Sequence, residues 1–315
     1  SIIECVYDYI NIIKKNGIFA RVTPKHKMRL IKILRNDQEV IAMTGDGVND
    51  APAIKSADIG IALGSGSEVT KEIADIILLD NNLKTILTAI KEGRNIFDNI
   101  KKIILYLLSD GFTELILIGD SLLFGWPLPV AAAQILWVNI IEDTLPALSL
   151  SYEKPITDIS QTKPRDLKSP LLDREMKFLI VIIGIATDLI LLGLFGWLLK
   201  DAHLPINHIR TFIFANLAID SLLNIYSCKN LNKNLWHYNP FNNRFLNLTV
   251  LFGFGMLLIG VYIPFFQNIL KTVPLNFFDW LLLVVLGFLE ITLVELGKMI
   301  FIRKNSKLTA TNAKN

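Results

Sequence analysis

The sequence predicts a two-part chain: an α/β domain built on a parallel sheet, then an all-α membrane domain of six transmembrane helices. Three observations predict it. Before residue 102, short apolar runs alternate with amphipathic stretches and charges are interspersed. After it, apolar runs approach the roughly 20 residues needed to cross a bilayer as helix. Across its 315 residues the chain is 52% hydrophobic and 19% charged, against roughly a quarter charged for a soluble domain, and its mean hydropathy is +0.44. That apolar content excludes disorder. Two cysteines far apart, Cys5 and Cys228, exclude a disulfide scaffold. A formal charge of +3 is too small to point to nucleic acid. The chain opens on Ser1 with no signal peptide, and is expected to be a piece of something longer.

In the first part, residues 38–44 (QEVIAMT) are expected to form a buried strand that ends at Gly45 and Gly47. Residues 58–63 (DIGIAL) and 75–79 (DIILL) are further β-type runs. Helical stretches over 25–35, 50–56 and 68–74 lie between them, and that alternation argues for a parallel sheet. From about Lys84 to Phe124 there is no proline, so one continuous helix is expected, able to carry motion between the halves.

The six expected spans are 103–124, 130–150, 178–199, 209–226, 245–266 and 277–301. The fourth is the weakest, interrupted by Asn216, Asp220 and Asn224. Lys and Arg set the orientation. Loop 152–177 carries Lys154, Lys163, Arg165, Lys168, Arg174 and Lys177, whereas the opposite loops hold only Lys200 and Lys271. The first domain, the long loops and the tail are therefore expected on the cytoplasmic side. Trp126 and Trp280 are expected in interfacial belts.

The most informative segment is Met43 to Gly64, MTGDGVNDAPAIKSADIGIALG. Two glycines around Asp46 allow close backbone approach to a ligand. Asp46, Asn49 and Asp50 project oxygens from one short turn, a hard-oxygen set suited to Mg²⁺ beside phosphate. For an isolated GDG, a plain turn with Asp50 as a helix cap is the better reading. The full string decides otherwise, because TGDGVNDAPA closely resembles the Mg²⁺-binding signature of P-type ATPases, cation pumps with a haloacid-dehalogenase-like phosphorylation domain. The resemblance extends through Ala20-Arg21-Val22-Thr23-Pro24, His26 and Lys27, and through Gly93-Arg94, over essentially the whole chain.

The resemblance implies Asp46 as Mg²⁺ ligand, Asn49 and Asp50 beside the phosphate, and Lys27 steadying the transferred phosphoryl group. A cation near phosphoryl oxygens stabilises a charge-dispersed transition state in any family. It further implies residues 1–84 as the C-terminal part of the phosphorylation domain, 85–102 as a stalk, 103–301 as the transport domain and 302–315 as a cytoplasmic tail. The DKTGT motif with the phosphoryl-accepting aspartate, the TGE motif, the nucleotide-binding domain and the first four spans have no counterpart here. ATP would be bound mainly by that missing part, and this chain by itself is expected not to hydrolyse it.

The membrane runs hold acids. A charge at mid-bilayer costs roughly 2.5–3.5 kcal/mol, so Glu114, Glu142, Asp143 and Asp220 unpaired would cost on the order of 10 kcal/mol. They must face the bundle interior. Asp110 and Glu114 are four apart and share a helix face. Asn139 precedes Glu142 and Asp143 by three and four, and Pro146 cannot donate to the Glu142 carbonyl, leaving it free beside the carboxylates. Leu136-Trp137-Val138-Asn139, Glu142-Asp143 and Leu145-Pro146-Ala147 resemble the sixth span of calcium and sodium-potassium pumps. Glu114 and Asp220 match those pumps' ion-binding acids. Gly111 stands where those pumps carry an asparagine, Glu142 where they carry threonine, and Asp110 is an added acid. Asp120, Asp188, Glu290 and Glu295 are expected to be structural, the last two pairing with Lys298.

The reading reached is the C-terminal part of a multi-pass cation pump of the cell membrane, embedded in lipid. Ca²⁺ is favoured as cargo, with Na⁺, K⁺ and H⁺ open. The alternative is a naturally truncated, inactive channel or regulatory protein.

Overall fold

A computed structural model describes residues 18–154, 170–200, 204–231 and 233–312. The described residues divide into two compact units, one through Gly93 and one from Arg94 onward.

The first unit carries three parallel strands, β1 (Ala42–Gly45), β2 (Ile59–Leu63) and β3 (Ile76–Leu78), in that spatial order. Ala42 is in register with Ile59 and Ile61 with Ile76. The helices are α1 (Pro24–Asn36), α2 (Ala51–Ser56) and α3 (Glu68–Ile73), with a 3₁₀ turn over Val48–Asp50. α1 starts where the residues dictate. Pro24 occupies the first turn and the Thr23 hydroxyl accepts from the His26 amide at 3.4 Å. β1 is shorter than the apolar run, because the chain passes through Gln38 at φ 65° after α1 ends at Asn36. The core is small and tight, with Ala53, Ile54, Ile61, Ala62 and Leu78 buried. A Cβ on Gly60 would stand 2.7 Å from Ile54 Cγ2, so a side chain there would push α2 off the sheet.

Helix α4 (Lys84–Leu123) runs unbroken for 40 residues, about 60 Å at 1.5 Å per residue. In the second unit it is followed by α5 (Ala132–Trp137), a π-helical segment (Val138–Asp143) and α6 (Thr144–Leu150). Then come α7 (Arg174–Lys200), α8 (Ile206–Cys228), α9 (Arg244–Tyr262), α10 (Pro264–Leu270) and α11 (Phe277–Asn312). Among the described residues, three helices are long and apolar enough to cross a membrane, by length and composition: Ile206–Cys228, Arg244–Tyr262 and Phe277–Ile300. The first of these is the run that looked weakest in sequence. Its polar residues do not face lipid, because α8 is buried on nearly every side, Asn216, Asp220 and Asn224 included. A helix buried all round in this way sits at the centre of a bundle.

Trp126 packs inward. Its ring lies edge-on to Phe195 at 5.9 Å and fills the space left by Gly196, where a Cβ would stand 2.6 Å from it. Trp280 stacks on Tyr262 and donates to its hydroxyl at 2.7 Å. A buried polar knot joins four segments of the second unit. The Lys229 ammonium donates to Pro240 O at 2.6 Å and Asn242 Oδ1 at 2.5 Å and stands 3.6 Å from Glu153. Glu153 also accepts from Asn243 at 2.9 Å, and its carbonyl takes the Asn99 amide at 2.9 Å. Burial pulls the Lys229 ammonium below its ordinary value, while Glu153 acts in the opposite sense. Lys229→Met leaves Glu153 buried without its cation, and is expected to cost about 3 kcal/mol of stability. An unchanged unfolding temperature in detergent would contradict this.

Candidate functional site

Two constellations carry chemistry, one in each unit. In the first, β1 delivers Gly45 and Asp46 at its C-terminal end, the edge where parallel α/β sheets bind ligands. The 3₁₀ turn then brings the chain back so that Asp50 lies over Gly45. A Cβ on Gly45 would stand 2.6 Å from Asp50 Cβ and 2.8 Å from its Oδ2, so glycine is required for the carboxylate to sit there. Asp50 makes no capping hydrogen bond to α2. Its Oδ1 instead takes the Lys27 ammonium of α1 at 2.5 Å. Lys27 and Asp50, 23 residues apart, are therefore brought together as a cation–carboxylate pair.

Asp46 is held by its backbone. Its carbonyl accepts from the Ser67 amide at 2.8 Å, and Gly66 passes so close that a Cβ there would stand 3.1 Å from Asp46 O. The Gly47 carbonyl accepts from the buried Thr70 hydroxyl at 3.2 Å. These contacts fix the loop while the Asp46 side chain stays exposed, with no hydrogen bond or ion pair to a described residue. The Thr44 hydroxyl at the strand end is buried and has no partner. A rigid loop with one uncommitted carboxylate fits Mg²⁺, which takes one or two carboxylates and completes its octahedron with water and phosphate oxygens. Asn49 is exposed on the same turn.

In the second unit the apolar stretches converge on a small pocket lined by Asp110, Thr113, Glu114, Val138, Leu217, Asp220 and Ser221. α4, the π segment and α8 build it. Glu114 is anchored by Asn139, whose amide donates to both carboxylate oxygens at 3.1 and 3.0 Å and to the Ile135 carbonyl at 2.9 Å. Asp143 accepts from Ser221 Oγ at 2.5 Å, and Ser221 is in turn bonded to the Tyr106 hydroxyl at 2.5 Å. Tyr106 also donates to the Glu142 carbonyl at 3.3 Å. The π segment ends three residues before Pro146, so the irregular backbone coincides with the carbonyl that proline leaves unserved.

Of the expected cation ligands, Asp110, Glu114 and Asp220 share this pocket, with Asn139 bonded to one of them and Asp143 reached through Ser221. Glu142 is outside the lining; it is fully buried and neither carboxylate oxygen has a partner. Among the described residues, no three His, Cys, Asp or Glu side chains are disposed to hold a metal ion together. Sequence reasoning missed Tyr106, Thr113 and Ser221. Helical spacing could have found the first two, since 106, 110, 113 and 114 follow the i, i+3, i+4 rule on one face. The expected pairing of Glu290 with Lys298 is corrected. Lys298 donates to Glu295 and to the Ser227 carbonyl, both at 2.8 Å, while Glu290 takes the Asn216 amide at 3.2 Å. Lys298 lies three residues from Glu295 and eight from Glu290, so the nearer acid on the same face captures it.

Comparison with known proteins gives a consistent result. Residues 127–300 match the family described as cation transporting ATPase, C-terminus, and residues 25–90 match haloacid dehalogenase-like hydrolase. The chain is 37% identical over 281 residues to a calcium-transporting ATPase of Bacillus subtilis (strain 168), covering 87% of this chain and 31% of the relative. It is 36% identical over 308 residues to calcium-transporting ATPase 1 of Saccharomyces cerevisiae, covering 94% and 31%. It is 37% identical over 273 residues to calcium-transporting ATPase type 2C member 1 of Homo sapiens, covering 86% and 30%. The chain thus spans about a third of the length of these relatives.

Proposed function

Because this chain belongs to the P-type cation-transporting ATPases and matches their C-terminal portion, we propose that it supplies the Mg²⁺-side phosphate machinery and most cation ligands of a Ca²⁺ pump. The whole protein would couple ATP hydrolysis, through an aspartyl-phosphate formed outside this chain, to cation movement. Asp46 holds Mg²⁺, which would neutralise charge on the transferred phosphoryl group. Lys27 places its ammonium at the same phosphoryl oxygens, with Asp50 orienting it and Asn49 beside it. A charge placed before the reaction needs no reorganisation during it, which is why the lysine is steadied by a carboxylate.

Cargo binds at Asp110, Glu114, Asn139, Glu142, Asp143 and Asp220. The observation that carries this reading is the pocket joining Asp110, Glu114 and Asp220. Acids inside an apolar bundle are costly unless they meet a cation, a proton or each other, and a shared pocket lets one cation serve several of them. Six spans, made of the C-terminal part of α4, the α5–α6 stretch and α7, α8, α9 and α11, would place both ends of the chain on the cytoplasmic side of the cell membrane, in keeping with the Lys and Arg asymmetry. Residues 85–102 would be the stalk between the phosphorylation domain and the membrane. Hard carboxylate and amide oxygens, together with relatives that are calcium-transporting ATPases, support Ca²⁺. The test is phosphorylation of the full-length protein from ATP in native vesicles, titrated separately with Ca²⁺, Na⁺ and K⁺. Activation by Ca²⁺ alone is expected; phosphorylation indifferent to Ca²⁺ overturns the choice of ion.

A further inference from the structure

Beyond the pocket, α11 brings one more acid to the buried face of α8. Gly287 makes this approach possible, since a Cβ there would stand 2.9 Å from Leu223 Cδ1 and 3.1 Å from Ile219 Cγ2. One turn further along, Glu290 reaches the α8 face that presents Asn216 and, four residues on, Asp220. The Asn216 amide donates to Glu290 Oε1 at 3.2 Å. Glu290 and Asn216 are each 1% exposed and Asp220 is 8% exposed.

The hydrogen bonds do not satisfy this group. Glu290 Oε2 and Asn216 Oδ1 are both buried without a hydrogen-bond donor among the described residues. Unpaired buried polar atoms are costly, and here two belong to side chains bonded to each other through their remaining atoms. No described Lys, Arg or His ion-pairs with either acid, because Lys298 is taken by Glu295. Two carboxyl groups and an amide oxygen form a hard-oxygen set with no cation of the protein's own.

We propose that Glu290, Asn216 and Asp220 form a second cation subsite, contiguous with the pocket through Asp220 and taking a hard divalent cation such as Ca²⁺. The subsite rests on the cation-transport reading above and extends it to α11. Asp220 is shared: it lines the pocket and lies one helical turn from Asn216 on α8.

The test counts bound ions. Purified full-length protein in detergent is titrated with radioactive Ca²⁺, and wild type is compared with Glu290→Gln, Asn216→Ala and, as a control on the pocket alone, Glu114→Gln. Glu290→Gln is expected to remove one bound Ca²⁺ per protein while the remaining ion binds within about twofold of its wild-type affinity. A merely structural helix contact, or a carboxyl pair that holds only a proton, would leave the number of bound ions unchanged, and that result overturns the proposal. If Glu290→Gln does not fold, Asn216→Ala decides: a tenfold or greater weakening of one ion supports the subsite and an unchanged isotherm rejects it. Loss of Ca²⁺ in Glu114→Gln with an unaltered Glu290→Gln rejects the subsite and keeps the pump reading. Wild-type protein that binds no Ca²⁺ rejects both.

Discussion

Asp46→Ala in the full-length protein is expected to lower the rate of phosphoenzyme formation by on the order of 10²–10³-fold, the cost of removing one preorganised charge-stabilising contact from a polar transition state. The structure separates this effect from misfolding. The Asp46 side chain is exposed and bonded to no described residue, while the loop is held by the Asp46 carbonyl on the Ser67 amide and by Thr70 on the Gly47 carbonyl. Alanine keeps both backbone contacts, so the domain should remain folded while Mg²⁺ loses its carboxylate. The checking measurement is Mg²⁺-dependent phosphorylation from ATP, with unfolding temperature as control. Turnover at the wild-type rate and wild-type Mg²⁺ dependence would remove Asp46 from the site.

Glu114→Gln is expected to weaken cation binding by about 10- to 100-fold, equivalent to ~1.4–2.8 kcal/mol. The substitution keeps the shape and an acceptor for Asn139, which bonds both carboxylate oxygens. What it removes is a full charge from a pocket of low dielectric shared with Asp110 and Asp220, where attraction to a cation is stronger than in water. Phosphorylation from inorganic phosphate does not require cargo on these ligands and should persist. That split, weak cation activation with intact back-phosphorylation, distinguishes loss of a ligand from loss of the fold. An unchanged Ca²⁺ titration would sink the assignment. Glu142→Gln tests the boundary of the pocket, since Glu142 is buried outside its lining.

Much of the first unit was legible because its signals are local. A strand ending in Gly45-Asp46-Gly47, a Thr23-Pro24 helix start and short β runs separated by helices each depend on a few neighbouring residues, and the three strands pair in parallel as that alternation implies. The boundaries shifted where backbone conformation intervened, as at Gln38. The acid-lined pocket of the second unit was legible only in part. Acids in apolar runs announce themselves by their cost, but which of them meet depends on helix rotation, and spacing speaks only within one helix. Tyr106 and Ser221 are 115 residues apart and joined by one hydrogen bond at 2.5 Å, which no periodicity reveals.

By itself, the sequence determined the strand–helix alternation of the first unit, the resemblance to cation pumps and the cost of leaving acids inside apolar runs, because these follow from residue identity and short-range spacing. The tertiary structure alone decided that α8 is buried on nearly every side, that Asp50 serves Lys27 instead of capping α2, and that Glu290 turns to Asn216 instead of Lys298. Each of those outcomes is a choice among partners distant in sequence. It is settled by which surfaces pack closely enough, as at Gly45 and Gly287, for one side chain to reach another.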